Sequence, residues 1–132
     1  MVIEDYFKIK GTYELVDGLY NVKGHVHLIK DVDKLPFKFG KVTSNFFCNY
    51  NKLKTLEGCP TRVGGNFDCD VNLLSSLEGS PIWVGGDFWC YGNNLKTLEG
   101  APISIGGNFY CDANLHNTKE YRQHIIMKKL RK

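Results

Sequence analysis

The chain contains 132 residues, of which 42% are hydrophobic and 23% are charged, as expected for one globular domain spanning residues 1–132. No apolar run reaches the roughly 18 residues that a membrane-spanning helix needs, and the N-terminal segment lacks the apolar stretch of a secretory signal. We therefore expect a soluble, cytoplasmic protein. The net charge of +3 is uneven: residues 117–132 carry six Lys or Arg and one acid, whereas residues 1–116 carry eleven basic and thirteen acidic residues.

Residues 1–34 are predicted to form an N-terminal cap. The pair Asp17-Gly18 is a typical two-residue hairpin turn, so we expect a β-hairpin in which Phe7–Leu15 pairs with Leu19–Leu28. The second strand contains VKGHVHL (22–28), which matches part of the repeat that follows and is interpreted as a vestigial coil. The hairpin is therefore expected to cover the first coil of a repeat structure.

His25 and His27 alternate along the second strand of this hairpin, so their side chains share one face. Two histidines at this spacing can bind a metal ion or act as acid and base. Because only Asp31 and Asp33 follow nearby in the sequence, solvent-facing histidines without a chemical role are the simpler interpretation.

Residues 35–115 contain a repeat with a period of 21 residues. Three copies (53–73, 74–94 and 95–115) align without a gap, and a degraded copy precedes them. Because no coil can bury its apolar face alone, stacked coils are expected to form the core. The recurring positions are Leu53/Leu74/Leu95, Leu56/Leu77/Leu98, Pro60/Pro81/Pro102, Val63/Val84/Ile105 and Phe67/Phe88/Phe109, with glycine pairs at 64–65, 85–86 and 106–107.

The pattern Phe-x-Cys-x-x-Asn-x-Leu-x-x-Leu recurs through the repeat, as at Phe67, Cys69, Asn72, Leu74 and Leu77. This pattern resembles the leucine-rich-repeat core L-x-L-x-x-N-x-L-x-x-L. The 21-residue copies are similar to those of small solenoid proteins encoded by tailed bacteriophages and bacteria. The resemblance covers residues 35–115 and implies a parallel-strand solenoid with a binding role. The L-E-G-x-P segment has room only for a turn, so no helix is expected on the convex side.

The cysteines and asparagines of the repeat are predicted to be structural. Four cysteines at 21-residue spacing are strung along the solenoid at roughly 4.8 Å per coil, so buried thiols are favoured over a zinc site. Cys59 lies in a turn outside this column and is expected to be the accessible thiol. The asparagines end each strand and are expected to form a buried polar ladder. The two columns are Cys48, Cys69, Cys90 and Cys111, and Asn51, Asn72, Asn93 and Asn114.

The outward-facing strand positions supply the candidate binding surface. Alternation buries Phe and Cys and exposes the residues between and beside them on the concave sheet. Exposed aromatics interleaved with acids are typical of binding surfaces. The alternatives are that the rings pair across strands, that the cap covers them, or that the acids hold a catalytic metal. The candidate partner-binding residues are Phe47, Asp68, Asp70, Asp87, Trp89, Tyr91, Tyr110 and Asp112.

Residues 116–132 are predicted to form a basic C-terminal helix that opens at Asn117, with Glu120 completing a capping box. Basic residues in a last helical turn interact favourably with the helix dipole. A terminal basic cluster can also bind nucleic acid or acidic proteins. The candidates for such contacts are Lys128, Lys129, Arg131 and Lys132.

Together these features predict a mainly-β, leucine-rich-repeat-like parallel-strand solenoid of about five coils, with an N-terminal hairpin cap and a C-terminal helix. The sequence has no P-loop, G-x-S-x-G or zincin motif, and we expect no enzyme activity and no cofactor. The expected function is protein binding through the concave sheet. If the phage resemblance extends to function, the partner is a host defence enzyme that the protein inhibits. The alternatives are nucleic-acid binding by the basic tail and a metal-dependent hydrolase using Asp68, Asp70, Asp87 and the histidines.

Overall fold

A computed structural model describes residues 2–130 of the chain. Within them the fold is a mainly-β solenoid of parallel strands with a hairpin at one end and a helix at the other, as predicted. The helix α1 is Lys119–Leu130, and short 3-10 turns lie at Ile3–Asp5 and Ala113–Leu115. The strands are β1 (Phe7–Val16), β2 (Leu19–Leu28), β3 (Phe39–Val42), β4 (Phe46–Phe47), β5 (Arg62–Val63), β6 (Phe67–Asp68), β7 (Trp83–Val84), β8 (Phe88–Trp89), β9 (Ser104–Ile105) and β10 (Phe109–Tyr110).

Each repeat contributes two short strands rather than the single strand that its sequence predicted. Strands β4, β6, β8 and β10 pair in parallel and form the front sheet, whereas β3, β5, β7 and β9 form the back sheet. The front register joins Phe46, Phe67, Phe88 and Phe109, as the sequence columns predicted. The back strands were not predicted from the sequence, because each contains only two residues before a glycine pair. Their one recurring feature in the sequence is a single column of β-branched residues, which is too short to indicate a strand.

The hairpin is the first member of both sheets. Strand β1 pairs with β2 along its whole length, from Phe7 with Leu28 to Val16 with Leu19, one residue further than predicted. Strand β2 then pairs with β3 through Val22 and with β4 through Val26. These are the positions that matched the repeat in the sequence, so the vestigial coil is confirmed.

The core is a set of ladders that run through the coils. Rings of Phe46, Phe67 and Phe88 stack with centroids 5.7 and 5.2 Å apart, close to one strand spacing. These rings and the leucine columns beside them are almost fully buried. Burial of one such side chain contributes about 1.5–3 kcal/mol, so inward positions account for most of the stability of the solenoid.

The asparagine ladder forms at three of the four predicted positions. Asn72 accepts a hydrogen bond from the Leu53 N–H at 2.9 Å and donates to the Cys48 carbonyl at 3.0 Å, so it ties two coils together. Asn93 repeats this pattern one coil later, and Asn51 does so with the segment after the hairpin. Asn114 was predicted wrongly: it is exposed in the 3-10 turn, where the chain leaves the repeat.

All five cysteines are buried and unpaired. The column prediction is confirmed, and burial raises the pKa of Cys69 well above its ordinary value and that of Cys111 to about 11. The prediction that Cys59 is accessible is wrong: it is 7% exposed, and burial raises its pKa well above the usual range. The turn that carries Cys59 folds over the core, so this thiol packs near Cys48 instead of facing solvent.

Helix α1 covers the last coil. The residue that caps it is Thr118, whose Oγ1 accepts the N–H of Tyr121 at 3.2 Å. The capping box predicted for Asn117 and Glu120 is therefore wrong, although the cap lies only one residue later. Tyr121 and His124 pack against Phe109, with ring centroids 6.1 and 5.1 Å away. Across residues 2–130, the structure contains no helix with the length and apolar character to cross a membrane.

Candidate binding face on the front sheet

The front sheet arranges its outward side chains in rows that follow the solenoid axis. The central row is built by parallel pairing of β2, β4, β6, β8 and β10, and each member alternates with a buried phenylalanine or valine. From the hairpin to the last coil, the row contains His27, Phe47, Asp68, Trp89 and Tyr110.

Three aromatic side chains form one cluster at the C-terminal end of this row. The rings of Trp89 and Tyr110 are stacked with centroids 5.2 Å apart and planes within 10°. Tyr91 lies 6.2 Å from Tyr110 at an angle of 34° and is 40% exposed. The expectation that rings could pair across strands is thus confirmed. The hairpin lies at the opposite end of the sheet and does not cover this cluster.

Carboxylates border the cluster on both sides. Asp70 accepts the Tyr91 N–H at 2.6 Å, and Asp68 accepts the Asp70 N–H at 2.9 Å. Asp112 accepts the Gly92 N–H at 3.3 Å from the following coil. These backbone contacts fix the position of each carboxylate, so the negative charge lies beside the rings before any ligand arrives.

The carboxylates of Asp68 and Asp70 are close enough to influence each other's ionisation. Burial and the neighbouring negative charge of Asp68 raise the pKa of Asp70 to about 6, and burial also raises the pKa of Asp68. Asn49, one coil earlier in the row of Asp70, has a buried Oδ1 that no described hydrogen-bond donor reaches. Asp70 therefore binds a proton under mildly acidic conditions and is mainly charged above neutrality.

Asp87 belongs to a different row, which has a structural role. In this row each side-chain oxygen accepts the backbone N–H one coil later: Asn45 from Asn66 at 2.7 Å, and Asn66 from Asp87 at 2.8 Å. Asp87 continues the series by accepting the Asn108 N–H at 2.7 Å. One oxygen of this candidate binding residue is thus engaged in holding the coils in register. The recurrence of Asn or Asp at this column was the available sequence signal.

The hairpin end of the face is basic. Strand pairing places Lys8 beside His27 and Lys10 beside His25. His27 packs edge-on against Phe47, and His25 Nδ1 accepts the Asn45 N–H at 3.4 Å. Two strand spacings, roughly 10 Å, separate the coil of His27 from that of Asp68. Within residues 2–130, no group of three or more His, Cys, Asp or Glu side chains is arranged to hold a metal ion.

The C-terminal helix reaches the edge of the aromatic cluster. Lys128 Nζ donates to Asn108 Oδ1, and Asn108 Nδ2 donates to the Tyr110 hydroxyl at 3.1 Å. A shallow cavity of about 330 Å³ lies between this helix and the last coil. Lys129 is exposed, and the predicted contacts of Arg131 and Lys132 lie outside the described residues. The position of Lys128 next to Asn108 could not be predicted from the sequence, because the repeat does not encode the direction of the helix.

The back sheet carries a row of opposite charge that sequence analysis did not identify. Pairing aligns Lys41, Arg62, Trp83 and Ser104 on its outer side. The guanidinium of Arg62 lies over the ring of Trp83, 4.5 Å from its centroid. The two sheets thus present an acidic and aromatic row on one side and a basic row with a covered indole on the other.

No family model, curated protein or solved structure matches this chain. The chemistry of the front sheet is therefore the guide to function. A rigid aromatic cluster beside fixed carboxylates can hold apolar and cationic groups of a partner. We define the aromatic-acidic face as Phe47, Asp68, Asp70, Trp89, Tyr91, Tyr110 and Asp112.

Proposed function

We propose that this protein is a non-enzymatic protein-binding module that covers a surface of its partner with the aromatic-acidic face. The observation that carries this proposal is the cluster of Trp89, Tyr91 and Tyr110, three large rings that are partly exposed and packed together. Trp and Tyr are enriched among the residues that dominate binding energy, and such anchors lie at interface centres with polar residues around them.

The rigidity of the face supports the same function. The rings of Trp89 and Tyr110 stack on each other, and Asp70 is held by the Tyr91 backbone. Side chains that are already ordered lose little conformational entropy on binding, so more of the contact energy is available as affinity. A binding surface whose side chains are already ordered suits a protein that acts by covering part of another molecule.

The resemblance to phage-encoded solenoids supports a more specific version of the proposal. In this version the protein acts in the host cytoplasm and inhibits a host defence enzyme by occupying part of its surface. A small solenoid with 132 residues needs only this one face to do so.

Two other functions have less support. Nucleic-acid binding by α1 is favoured by Lys128 and Lys129, but the carboxylates of the neighbouring face would repel phosphate. A metal-dependent hydrolase using Asp87 would have to share that carboxylate with the Asn108 N–H, which one of its oxygens already accepts, and the histidines lie at the other end of the sheet. The protein-binding proposal does not depend on either group.

The proposal is tested by quantitative capture of partners from a lysate of the host. We expect a Trp89→Ala/Tyr110→Ala variant to lose the captured protein, since truncating aromatic anchors costs roughly 2 kcal/mol or more each. Trp83→Ala on the back sheet is the matched control and should retain it. A variant with Lys128, Lys129, Arg131 and Lys132 changed to Gln should also retain it. Loss in this tail variant, with retention in the aromatic variant, would contradict the proposal and favour α1.

A further inference from the structure

The stacking direction of the rings shows which side of Trp89 is open. The separation of 5.2 Å between Trp89 and Tyr110 is close to one strand spacing, and the planes are parallel within 10°. The two rings therefore stack along the solenoid axis. One side of the indole is covered by Tyr110, and the other side is turned toward the preceding coil, which carries Asp68.

The preceding coil places a short side chain next to Trp89 in the central row. Asp68 lies between two large residues of this row, because Phe47 precedes it and Trp89 follows it. Two strand spacings, roughly 10 Å, separate the coils of Phe47 and Trp89. Asp70 lies beside Asp68 and donates its N–H to the Asp68 carboxylate, so two carboxylates adjoin the side of Trp89 that faces away from Tyr110.

The back sheet shows which chemical group covers an indole that has the same register. Arg62 occupies the place relative to Trp83 that Asp68 occupies relative to Trp89, since both pairs are in register one coil apart. There the guanidinium of Arg62 lies over the indole at 4.5 Å. Among the described residues, no cation lies over the ring of Trp89, Tyr91 or Tyr110.

We propose that the aromatic-acidic face binds an arginine side chain of the partner protein, with the guanidinium against Trp89 and paired with Asp68 and Asp70. This inference rests on the proposed function and names the chemistry of the partner. Arginine fits better than lysine, because its planar guanidinium can stack on an indole and present parallel N–H groups to carboxylates.

Binding of a cation at this site is coupled to protonation. Asp70, whose pKa of about 6 results from burial and from the negative charge of Asp68, loses its proton when a guanidinium binds beside it. The other titratable groups around it are Asp68 on its own coil, Tyr91 and Asp112 on later coils, and the thiols of Cys69 and Cys90. Burial keeps those thiols neutral, so the aspartates control affinity, which falls as the pH is lowered from 7.5 to 5.

The test uses an acetylated and amidated peptide of sequence Ser-Gly-Arg-Gly-Ser, titrated into the full chain and followed by tryptophan fluorescence and NMR. Peptides with lysine or the neutral isostere citrulline in place of arginine are the controls. We expect the citrulline peptide to bind about tenfold more weakly, because it loses both cation–π and ionic contacts. Equal affinity of the arginine and citrulline peptides would overturn the proposal.

Protein variants separate the charge from the fold. Asp68→Asn and Asp70→Asn keep the side-chain oxygens that accept backbone N–H groups, so folding, checked by circular dichroism, is preserved. We expect the double variant to lower arginine-peptide affinity about tenfold and to abolish its pH dependence. Trp83→Leu is the matched control for Trp89→Leu and should leave affinity unchanged. Full affinity in the Asp68→Asn/Asp70→Asn variant would refute the carboxylate pairing.

A competition experiment separates this inference from the proposed function. In one outcome, capture of the partner requires Trp89 and Tyr110, but neither the arginine peptide nor the citrulline peptide in excess displaces the partner. Protein binding then stands, and the arginine site is wrong. If the arginine peptide binds specifically but the aromatic variant still captures the same partner, the arginine site stands and the proposed function is wrong. Displacement by the arginine peptide alone supports both.

Discussion

The front and back sheets are built by the same repeats, yet they present different chemistry. Both bury one β-branched or aromatic column against the common core. Outward, the front sheet aligns Asp68 with Trp89, whereas the back sheet aligns Arg62 with Trp83. The indole on the back is covered by the chain's own guanidinium, and the indole on the front lies beside a carboxylate. The inward columns therefore determine the fold, while single outward positions determine the chemistry that each sheet presents.

The charge difference between the sheets would also orient the proposed partner. A basic group is attracted to the side of Asp68, Asp70 and Asp112 and repelled by the side of Lys41 and Arg62. Such complementarity mainly raises the association rate and excludes wrong orientations, rather than adding affinity. On the proposed function, the front sheet binds the partner while the back sheet remains exposed.

Both sheets share strand β2, and Gly24 allows this strand to pass from one sheet to the other. Gly24 has a φ of 143° at the point where β2 passes from the back sheet to the front sheet. A Cβ there would lie far inside van der Waals contact of the Lys10 carbonyl oxygen. We expect Gly24→Ala to destabilise the protein by about 3 kcal/mol or more, measured by urea unfolding.

Gly18→Asn is the matched control for this prediction. Gly18 also has a positive φ of 80°, but nothing lies within 4 Å of a Cβ at that position, and asparagine tolerates the left-handed region. Its cost should stay below about 1 kcal/mol. Equal effects of the two substitutions would show that the passage of β2 between sheets does not require glycine at position 24.

The next largest effect concerns the link between coils. Asn93→Ala removes the acceptor of the Leu74 N–H and the donor to the Cys69 carbonyl, leaving polar backbone groups unpaired. We expect a loss of roughly 1–3 kcal/mol in the free energy of unfolding. Asn114→Ala, at the exposed position where the ladder ends, should cost almost nothing. Similar unfolding midpoints for both variants would mean that the ladder contributes no stability.

The sequence predicted what depends on periodicity and missed what depends on how segments fold over one another. The 21-residue columns placed Phe67 inside and Asp68 outside, and they matched Val22 and Val26 of the hairpin to the repeat. Cys59 was misplaced, because a turn position usually faces solvent and nothing local indicates that this turn covers the core. The cap at Thr118 was missed because Asn117 is an equally good capping residue by type.

The candidate face was predictable in composition but not in geometry. Alternation identified Trp89, Tyr91 and Tyr110 as outward residues. The parallel stacking of Trp89 on Tyr110 depends on rotamers that only the packed coils define. The engagement of Asp87 with the Asn108 N–H likewise requires the superposition of two coils. The back row of Arg62 and Trp83 was missed since its strands were not recognised.

A smaller expected effect is a pH dependence of folding stability that arises from Asp70 on the front sheet. Asp70 has a pKa of about 6 in the folded protein, above its ordinary value, because of burial and the charge of Asp68. A carboxyl whose pKa is raised by folding binds more protons in the native state, so stability increases as the pH falls from about 7 to 5. After allowance for solvent screening, the gain should be on the order of 1 kcal/mol or less.

Asp70→Asn should remove most of this pH dependence while keeping the hydrogen bond from the Tyr91 N–H. The measurement is the urea midpoint of both proteins at several pH values between 5 and 7.5. The same pH dependence of stability in the parent protein and in the variant would show that folding does not raise the pKa of Asp70. The front sheet would then lack the coupling that its proposed cation binding requires.

The smallest expected effect comes from a substitution that gives the back sheet the aspartate–tryptophan arrangement of the front sheet. Arg62→Asp places a carboxylate one coil before Trp83, in the register that Asp68 has with Trp89, and uncovers the indole. In a Trp89→Ala background, where the front site is removed, we expect this change to increase arginine-peptide affinity at most about fivefold, as for an exposed cation–π contact. The gain stays small because Ser104 stands where the front sheet has Tyr110. Lys41→Asp lies in the same row but two coils before Trp83 and therefore not next to it, so it is the control and should produce no gain. If Arg62→Asp also produces none, an aspartate and a tryptophan in register are not sufficient, and the stacked Tyr110 and the second carboxylate must be what separates the two sheets.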